Sequence, residues 1–112
     1  MRKGKIGAQC AHASMMVFLK GAEITPGEMK TQITAPMYEW LTNSFTKVCV
    51  GVESEAELEE IYQAALAQGV AAAMVVDQGH TEFKGVPTKT VVAIGPDHND
   101  VVDKITAHLK LL

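Results

Sequence analysis

The chain has 112 residues, of which 47% are hydrophobic and 21% charged, and its formal net charge is −3. This length fits one domain, residues 1–112, and the composition is that of a folded globular protein that needs neither a disulfide nor a metal to hold its core. The acidic balance argues against a general nucleic-acid binder, although a basic group at Arg2, Lys3 and Lys5 can still hold a few phosphates.

The sequence near the N-terminus does not indicate a membrane protein. Its longest uninterrupted apolar stretch, Met15–Leu19, is too short for a signal peptide or a bilayer span. Cys10 and Cys49 are far apart in the sequence and form no C-x-x-C pair, so neither a zinc ribbon nor a dithiol redox site is expected. Two free thiols are typical of a reducing compartment, and we therefore expect a cytoplasmic protein.

The first predicted element is a helix, which carries a line of polar side chains. Its apolar residues recur at helical spacing, at Ile6, Cys10, Ala13 and Val17. A second apolar row lies beside the first, which predicts that most of the helix is buried. The exception is the line Lys5, Gln9 and His12. Polar groups on a buried helix need a partner or a cleft, although each residue alone is more typical of a solvated position or a hydrogen-bonded core histidine.

A loop and a short helix are predicted next. Residues Gly21–Lys30 are expected to form the loop, with its turn at Pro26-Gly27. The helix is predicted from Ala35 to Asn43, with Thr34 as its cap and Pro36 in its first turn. Three of its side chains are expected to pack inward: Met37, Trp40 and Leu41.

The middle of the chain is typical of a strand–helix–strand unit. Lys47–Val52 alternates as a strand, and Val70–Val76 is the apolar run of a strand buried on both faces. Between them, Ser54 and Glu57 predict a capped helix start, and Gly69 predicts the end of that helix. Its predicted core face is Leu58, Ile61, Tyr62, Ala65 and Leu66. Such a unit is right-handed and its strands are parallel.

A third strand and a last helix complete the predicted α/β chain. The strand is Thr88–Ile94, and Gly95-Pro96-Asp97 introduces the helix. Val101, Val102, Ile105 and Leu109 form the inward face of this helix. Because the chain opens on a helix where an α/β protein usually has a strand, the sheet is expected to be small or to lack its usual first strand before Met1.

Asp77 is the residue whose position most favours chemistry. It stands at the carboxyl end of the most buried strand, where open α/β sheets bind ligands. The alternative is that Asp77 only forms the turn of the D-Q-G-H-T loop. Thr81 and Thr90 flank the loop 82–89, and each alone is more typical of a structural residue. The histidines at positions 80, 98 and 108 lack metal-ligand spacing, so no metal site is expected.

Four motifs together resemble the type 2 peptidyl-tRNA hydrolase family, the archaeal and eukaryotic kind. They are R-K-G-K-I-G-A-Q-C-A-H-A at Arg2–Ala13, V-V-D-Q-G-H-T at Val75–Thr81, T-K-T-V-V-A-I-G-P at Thr88–Pro96 and D-K-I-T-A-H-L-K-L at Asp103–Leu111. They occur in the family's order with similar spacing, and the resemblance covers nearly the whole chain apart from Gly21–Phe45.

The resemblance implies hydrolysis of the ester between the peptide and the terminal ribose of peptidyl-tRNA. It further implies a three-layer α/β/α fold with a small mixed, mostly parallel sheet, no metal or cofactor, and frequent homodimers. The residues that match the family's proposed catalytic positions are Lys5, Asp77, Thr81 and Thr90. The residues expected to bind substrate are Gln9, His12, Arg2, Lys3 and His80.

The chain departs from the family pattern in three places. The family usually has a strand ending in a D-L-x-M-like sequence before this N-terminal motif, and Met1 is the methionine of that sequence. His80 replaces the usual arginine and Gln78 the usual alanine, and a histidine cannot hold phosphate bidentately as an arginine can. The segment Gly21–Phe45 is longer than expected and contains Trp40, which could cover the cleft or a dimer contact.

Two other functions are compatible with these residues. One is a non-catalytic module that binds RNA or protein on the same scaffold, and the other is a truncated fragment that associates through an exposed sheet edge. The presence of Lys5, Asp77, Thr81 and Thr90 together favours an enzyme, because a pure scaffold has no evident need for all four.

Overall fold

The computed structural model of the protein describes residues 1–79 and 84–112. Its helices and short strands confirm the α/β class. In chain order they are α1 Lys3–Leu19, β1 Glu23–Thr25, β2 Glu28–Lys30, α2 Ala35–Glu39 continued by a π-helical turn Trp40–Ser44, β3 Val50–Gly51, α3 Glu55–Ala67, β4 Ala72–Asp77, β5 Thr88–Ile94, α4 Asn99–Thr106 and β6 Lys110–Leu111.

Local sequence signals set the ends of several elements. The Thr34 hydroxyl accepts the Met37 N–H at the start of α2 (3.3 Å), and the Ser54 hydroxyl accepts the Glu57 N–H at the start of α3 (3.1 Å). Gly69 follows α3 with a φ of +71°, a conformation that glycine adopts without steric cost. The predicted caps of both helices are therefore confirmed, as is the whole extent of the strand Thr88–Ile94.

The segment predicted as a loop over Gly21–Lys30 is instead a hairpin. β1 and β2 pair antiparallel, with Thr25 opposite Glu28 and the predicted Pro26-Gly27 turn between them. Three-residue strands give too short an alternation to stand out from a loop in sequence. The prediction that Leu41 packs inward is also wrong, since it is 41% exposed while Met37 is buried.

The predicted parallel unit around α3 is wrong for the described strands, which all pair antiparallel. β4 pairs with β5, whereas β3 pairs with β6 rather than with β4. The sequence pattern extended β3 over Lys47–Val52, but only two residues form a ladder there. Alternation of side chains indicates a strand without specifying its neighbour, so the direction of pairing was not determined by the pattern.

The β4–β5 ribbon has helices against both of its faces. Ala72 and its cross-strand partner Ile94 pack in the cluster that contains side chains of α3 and α4, whereas Ala73 and Ala93 pack in the cluster that contains side chains of α1 and α2. Successive residues of a strand point to opposite faces. Asp77, four residues beyond Ala73, therefore lies on the α1 side of the ribbon.

The helix α1 is less buried than its composition predicts. Only Ala13 and Val17 are buried, and Met15 is 62% exposed. The expectation of a mostly buried helix is therefore wrong. Among the described elements, α1 makes its main contacts with β4 and β5, and one such ribbon can cover only one side of a helix.

Candidate active site

Asp77 is the last residue of β4, and α1 crosses the same face of the ribbon beside it. The apolar run that precedes Asp77 favours a buried strand, and Gln78-Gly79 ends that strand. Lys5 and Gln9 are four residues apart, so their side chains lie on one side of α1. The packing of α1 on β4 brings these polar side chains to the carboxylate across 68 to 72 residues of sequence.

The carboxylate of Asp77 receives three hydrogen bonds from the described residues that surround it. The Lys5 Nζ donates to Oδ1 over 3.1 Å, and the Gln9 Nε2 donates to the same oxygen over 3.4 Å. The Gly79 backbone N–H donates to Oδ2 over 3.1 Å. This last bond confirms the turn-forming role considered for Asp77, and it leaves Oδ1 directed to α1.

The ion pair of Lys5 and Asp77 is shielded from solvent. Each side chain is 15% exposed, whereas the Lys30–Glu28 pair of the hairpin is 70% and 61% exposed at a similar distance of 3.2 Å. Water and salt screen an exposed pair far more than a partly buried one. The site therefore holds a fixed positive and a fixed negative charge in contact, at the edge of the molecule where a strand ends.

Thr90 lies at an irregular point of β5. Val75 is opposite Val91 and Val76 is opposite Lys89, so Thr90 is an extra residue, which makes a β-bulge. The Lys89 Nζ meets Glu59 of α3 at 3.5 Å. The Thr90 hydroxyl is shielded from solvent and has no hydrogen-bond partner among the described residues.

Three further predicted site residues lie at the start of α1 or farther along it. His12 is exposed on α1, and Arg2 and Lys3 are exposed at its start. His80 and Thr81 lie outside the described residues. The prediction that both take part in the site is therefore not tested by the structure.

Gly79 contacts the carboxylate but was not among the predicted site residues. Its sequence position predicts only a place in the turn of the D-Q-G-H-T loop. The available signal was an aspartate followed two residues later by glycine, the spacing at which an aspartate side chain bonds the backbone ahead of it.

Within residues 1–79 and 84–112, no three His, Cys, Asp or Glu side chains are grouped closely enough to hold a metal ion. No described helix combines the length and hydropathy required to cross a membrane.

The site has a carboxylate and an ammonium in contact and a shielded hydroxyl on the neighbouring strand β5, which are groups that ester hydrolysis by water can use. The carboxylate can orient or deprotonate a water molecule. The ammonium and the hydroxyl can stabilise the negative oxygen of a tetrahedral intermediate. Asp77, Lys5 and Thr90 supply the groups for these steps.

Comparison with known proteins identifies the same family as the four sequence motifs, and the match covers the whole chain. The family model described as peptidyl-tRNA hydrolase PTH2 matches residues 1–112. A peptidyl-tRNA hydrolase of Methanocaldococcus jannaschii is 41% identical over all of this chain and 90% of its own length. One of Methanothermobacter thermautotrophicus is 39% identical over all of this chain and 89% of its length, and a probable peptidyl-tRNA hydrolase 2 of Drosophila melanogaster is 36% identical over all of this chain and 55% of its length.

Proposed function

The chain belongs to the peptidyl-tRNA hydrolase PTH2 family, and from that membership we propose that it hydrolyses the ester bond of peptidyl-tRNA at the Lys5–Asp77 pair. The supporting observation is the 3.1 Å contact between the Lys5 Nζ and the Asp77 Oδ1, with both side chains largely shielded from water. Each of the two side chains keeps 15% of its surface exposed, so a substrate carbonyl can reach the pair.

The proposed reaction begins with a water molecule held by the Asp77 carboxylate. As the water oxygen attacks the peptidyl carbonyl carbon, Asp77 accepts a proton from it. The carbonyl oxygen becomes negative, and the Lys5 ammonium stabilises that charge. When the bond from carbon to the ribose oxygen breaks, the proton passes to the leaving ribose oxygen, which yields free tRNA and a peptide with a carboxyl group.

We assign to Thr90 the second donor for the negative oxygen. Its hydroxyl lies on β5, which pairs with the strand that ends at Asp77, and it is not bonded to any described residue, so it can bond substrate without first breaking a bond to one of those residues. A single donor of this kind contributes about 10²–10³-fold to the rate in well-studied hydrolases. Thr81 stays in this assignment from the family motif alone.

The substrate-binding residues are proposed in two groups. Gln9 holds Asp77 from the side and His12 orients the substrate farther along α1. Arg2, Lys3 and His80 hold tRNA phosphates. Loss of one phosphate contact lowers the salt dependence of binding by about one unit of slope. Lys3→Ala should therefore raise KM most at low salt, while kcat should change little.

The proposed function is tested by release of tRNA from an N-blocked aminoacyl-tRNA at fixed salt. Asp77→Asn and Lys5→Ala should each lower kcat at least about 10²-fold, as the loss of a general base or of an oxyanion donor does. Turnover near that of the unaltered protein in both variants would contradict the proposal.

The hairpin offers a matched control for both substitutions. Glu28→Gln and Lys30→Ala remove the same kinds of charge from an exposed pair at a similar distance, 3.2 Å. These variants should hydrolyse at the rate of the unaltered protein. Equal losses in the control and site variants would mean that net charge, and not the Lys5–Asp77 pair, governs the rate.

We further propose that residues 1–112 form one domain with a three-layer α/β/α arrangement, that the protein works in the cytoplasm, and that two copies can form a homodimer. The packing of α1 against one face of the β4–β5 ribbon and of α3 against the other supports the layers. Light scattering after size-exclusion chromatography tests the dimer.

A further inference from the structure

Gly79 makes two backbone hydrogen bonds at the neck of the loop that follows β4. Its N–H donates to the Asp77 Oδ2 over 3.1 Å, and its carbonyl accepts the Gly85 N–H over 2.8 Å. The residue is buried and has a φ of +82°. Gly79 thus bonds both the proposed base, Asp77, and Gly85, which lies shortly before β5.

No other residue type fits at this position. A Cβ added to Gly79 would come within 2.6 Å of both the backbone nitrogen and the backbone oxygen of Val86 and within 2.9 Å of the Gly85 carbonyl carbon. These are backbone atoms, which cannot swing aside as a flexible side chain can. The positive φ adds a further cost for any side chain. By contrast, a Cβ at Gly69, with its φ of +71°, meets nothing within 4 Å.

We propose that Gly79 is a positioning residue for Asp77, which it orients through the Gly79 N–H bond to Oδ2. This inference rests on the proposed function, because it gives Gly79 a role only if Asp77 is the base. The bond from Gly79 restrains rotation of the Asp77 carboxylate about its Cβ–Cγ bond. With Oδ2 held by the backbone and Oδ1 by Lys5 and Gln9, its plane is fixed.

The expected consequence is a loss in kcat that is larger than any rise in KM. A side chain at position 79 must push the Val86 backbone away, which displaces the N–H donor and lets the carboxylate turn. Misplacement of a reacting group by about 1 Å can cost on the order of 10²-fold in rate. Of the proposed phosphate-binding residues, Arg2 and Lys3 lie at the start of α1, whereas His80 directly follows Gly79 in the sequence, so KM should change less than kcat.

The test compares Gly79→Ala with Gly69→Ala in the tRNA-release assay. Both variants place alanine at a positive φ, but only Gly79→Ala meets backbone atoms and disturbs the bond to Asp77. We expect kcat to fall about 10²-fold for Gly79→Ala and less than twofold for Gly69→Ala, per folded molecule measured by circular dichroism. An unchanged kcat for Gly79→Ala, or a rise in KM alone, would overturn the inference.

A second measurement applies if Gly79→Ala does not fold. The Gly79 amide proton should resonate downfield in the protein NMR spectrum because its acceptor is a carboxylate, and it should move upfield in Asp77→Ala. An amide resonance that is the same in both proteins would overturn the inference. The proposed function is tested separately, without any change at Gly79. It would be contradicted if Asp77→Asn hydrolysed the substrate at the rate of the unaltered protein.

Discussion

Replacement of Thr90 by valine should make the protein more stable and less active. The valine keeps the branched shape at the bulge of β5 but removes the hydroxyl. That hydroxyl is shielded from solvent and has no partner among the described residues. A buried polar group without a hydrogen-bond partner lowers stability. Removal of this hydroxyl breaks no hydrogen bond to a described residue.

The size of the effect follows from the cost of an unpaired buried group. Desolvation of a hydroxyl without a partner costs about 1–3 kcal/mol, whereas a made hydrogen bond contributes about 0.5–1.5 kcal/mol. Thr90→Val should therefore raise the free energy of unfolding by about 1 kcal/mol, which is about 4 °C in Tm for a domain of this size. Loss of one oxyanion donor should lower kcat by about 10²-fold, equivalent to about 2.7 kcal/mol of barrier.

Urea unfolding and tRNA release, measured on the same preparation, check both parts. Thr88→Val is the matched control for stability, because the Thr88 hydroxyl donates to the Val86 carbonyl over 3.0 Å. Its removal should lower the free energy of unfolding by about 1 kcal/mol. If Thr90→Val destabilises the protein as much as Thr88→Val, or hydrolyses at the unaltered rate, the reasoning about Thr90 is refuted.

Two further predictions concern the core and the thiols. Because Ile61 is only 8% exposed, Ile61→Ala should lower the free energy of unfolding, measured in urea, by about 2–5 kcal/mol. Leu66 is 45% exposed, so Leu66→Ala should lower it by less than about 1 kcal/mol. Equal losses in the two variants would contradict the assigned core. Burial raises the pKa of the Cys10 thiol, and the adjoining Cys49 raises it further. A raised pKa leaves less of Cys10 as the reactive thiolate at a given pH. Iodoacetamide should therefore alkylate the exposed Cys49 first, as followed by mass spectrometry. Faster alkylation of Cys10 would contradict this prediction.

The sequence predicts well those elements whose ends carry their own signal. Thr34 and Ser54 cap their helices where expected, because a hydroxyl that accepts a backbone N–H acts within three residues. The strand Thr88–Ile94 is predicted to the residue. By contrast, the partner of Val50–Gly51 is β6 and not β4, and that choice depends on tertiary packing that no local pattern records.

The candidate site is only partly visible in sequence. The position of Asp77 after an apolar strand indicated a crevice, and the polar line on α1 indicated that Lys5 and Gln9 need a partner. That they meet depends on how α1 lies across β4, since 72 residues separate Lys5 from Asp77. The bulge at Thr90 leaves no trace in an alternating pattern, and only family resemblance singled that residue out.

The most direct test of the account is a double-mutant cycle for Lys5 and Asp77 in tRNA release. Residues that act as one unit have strongly non-additive effects on kcat. We therefore predict that Lys5→Ala combined with Asp77→Asn is about as slow as the slower single variant. If the two losses instead multiply, so that two 10²-fold decreases give about 10⁴-fold, then Lys5 and Asp77 act independently and the account of the site is wrong.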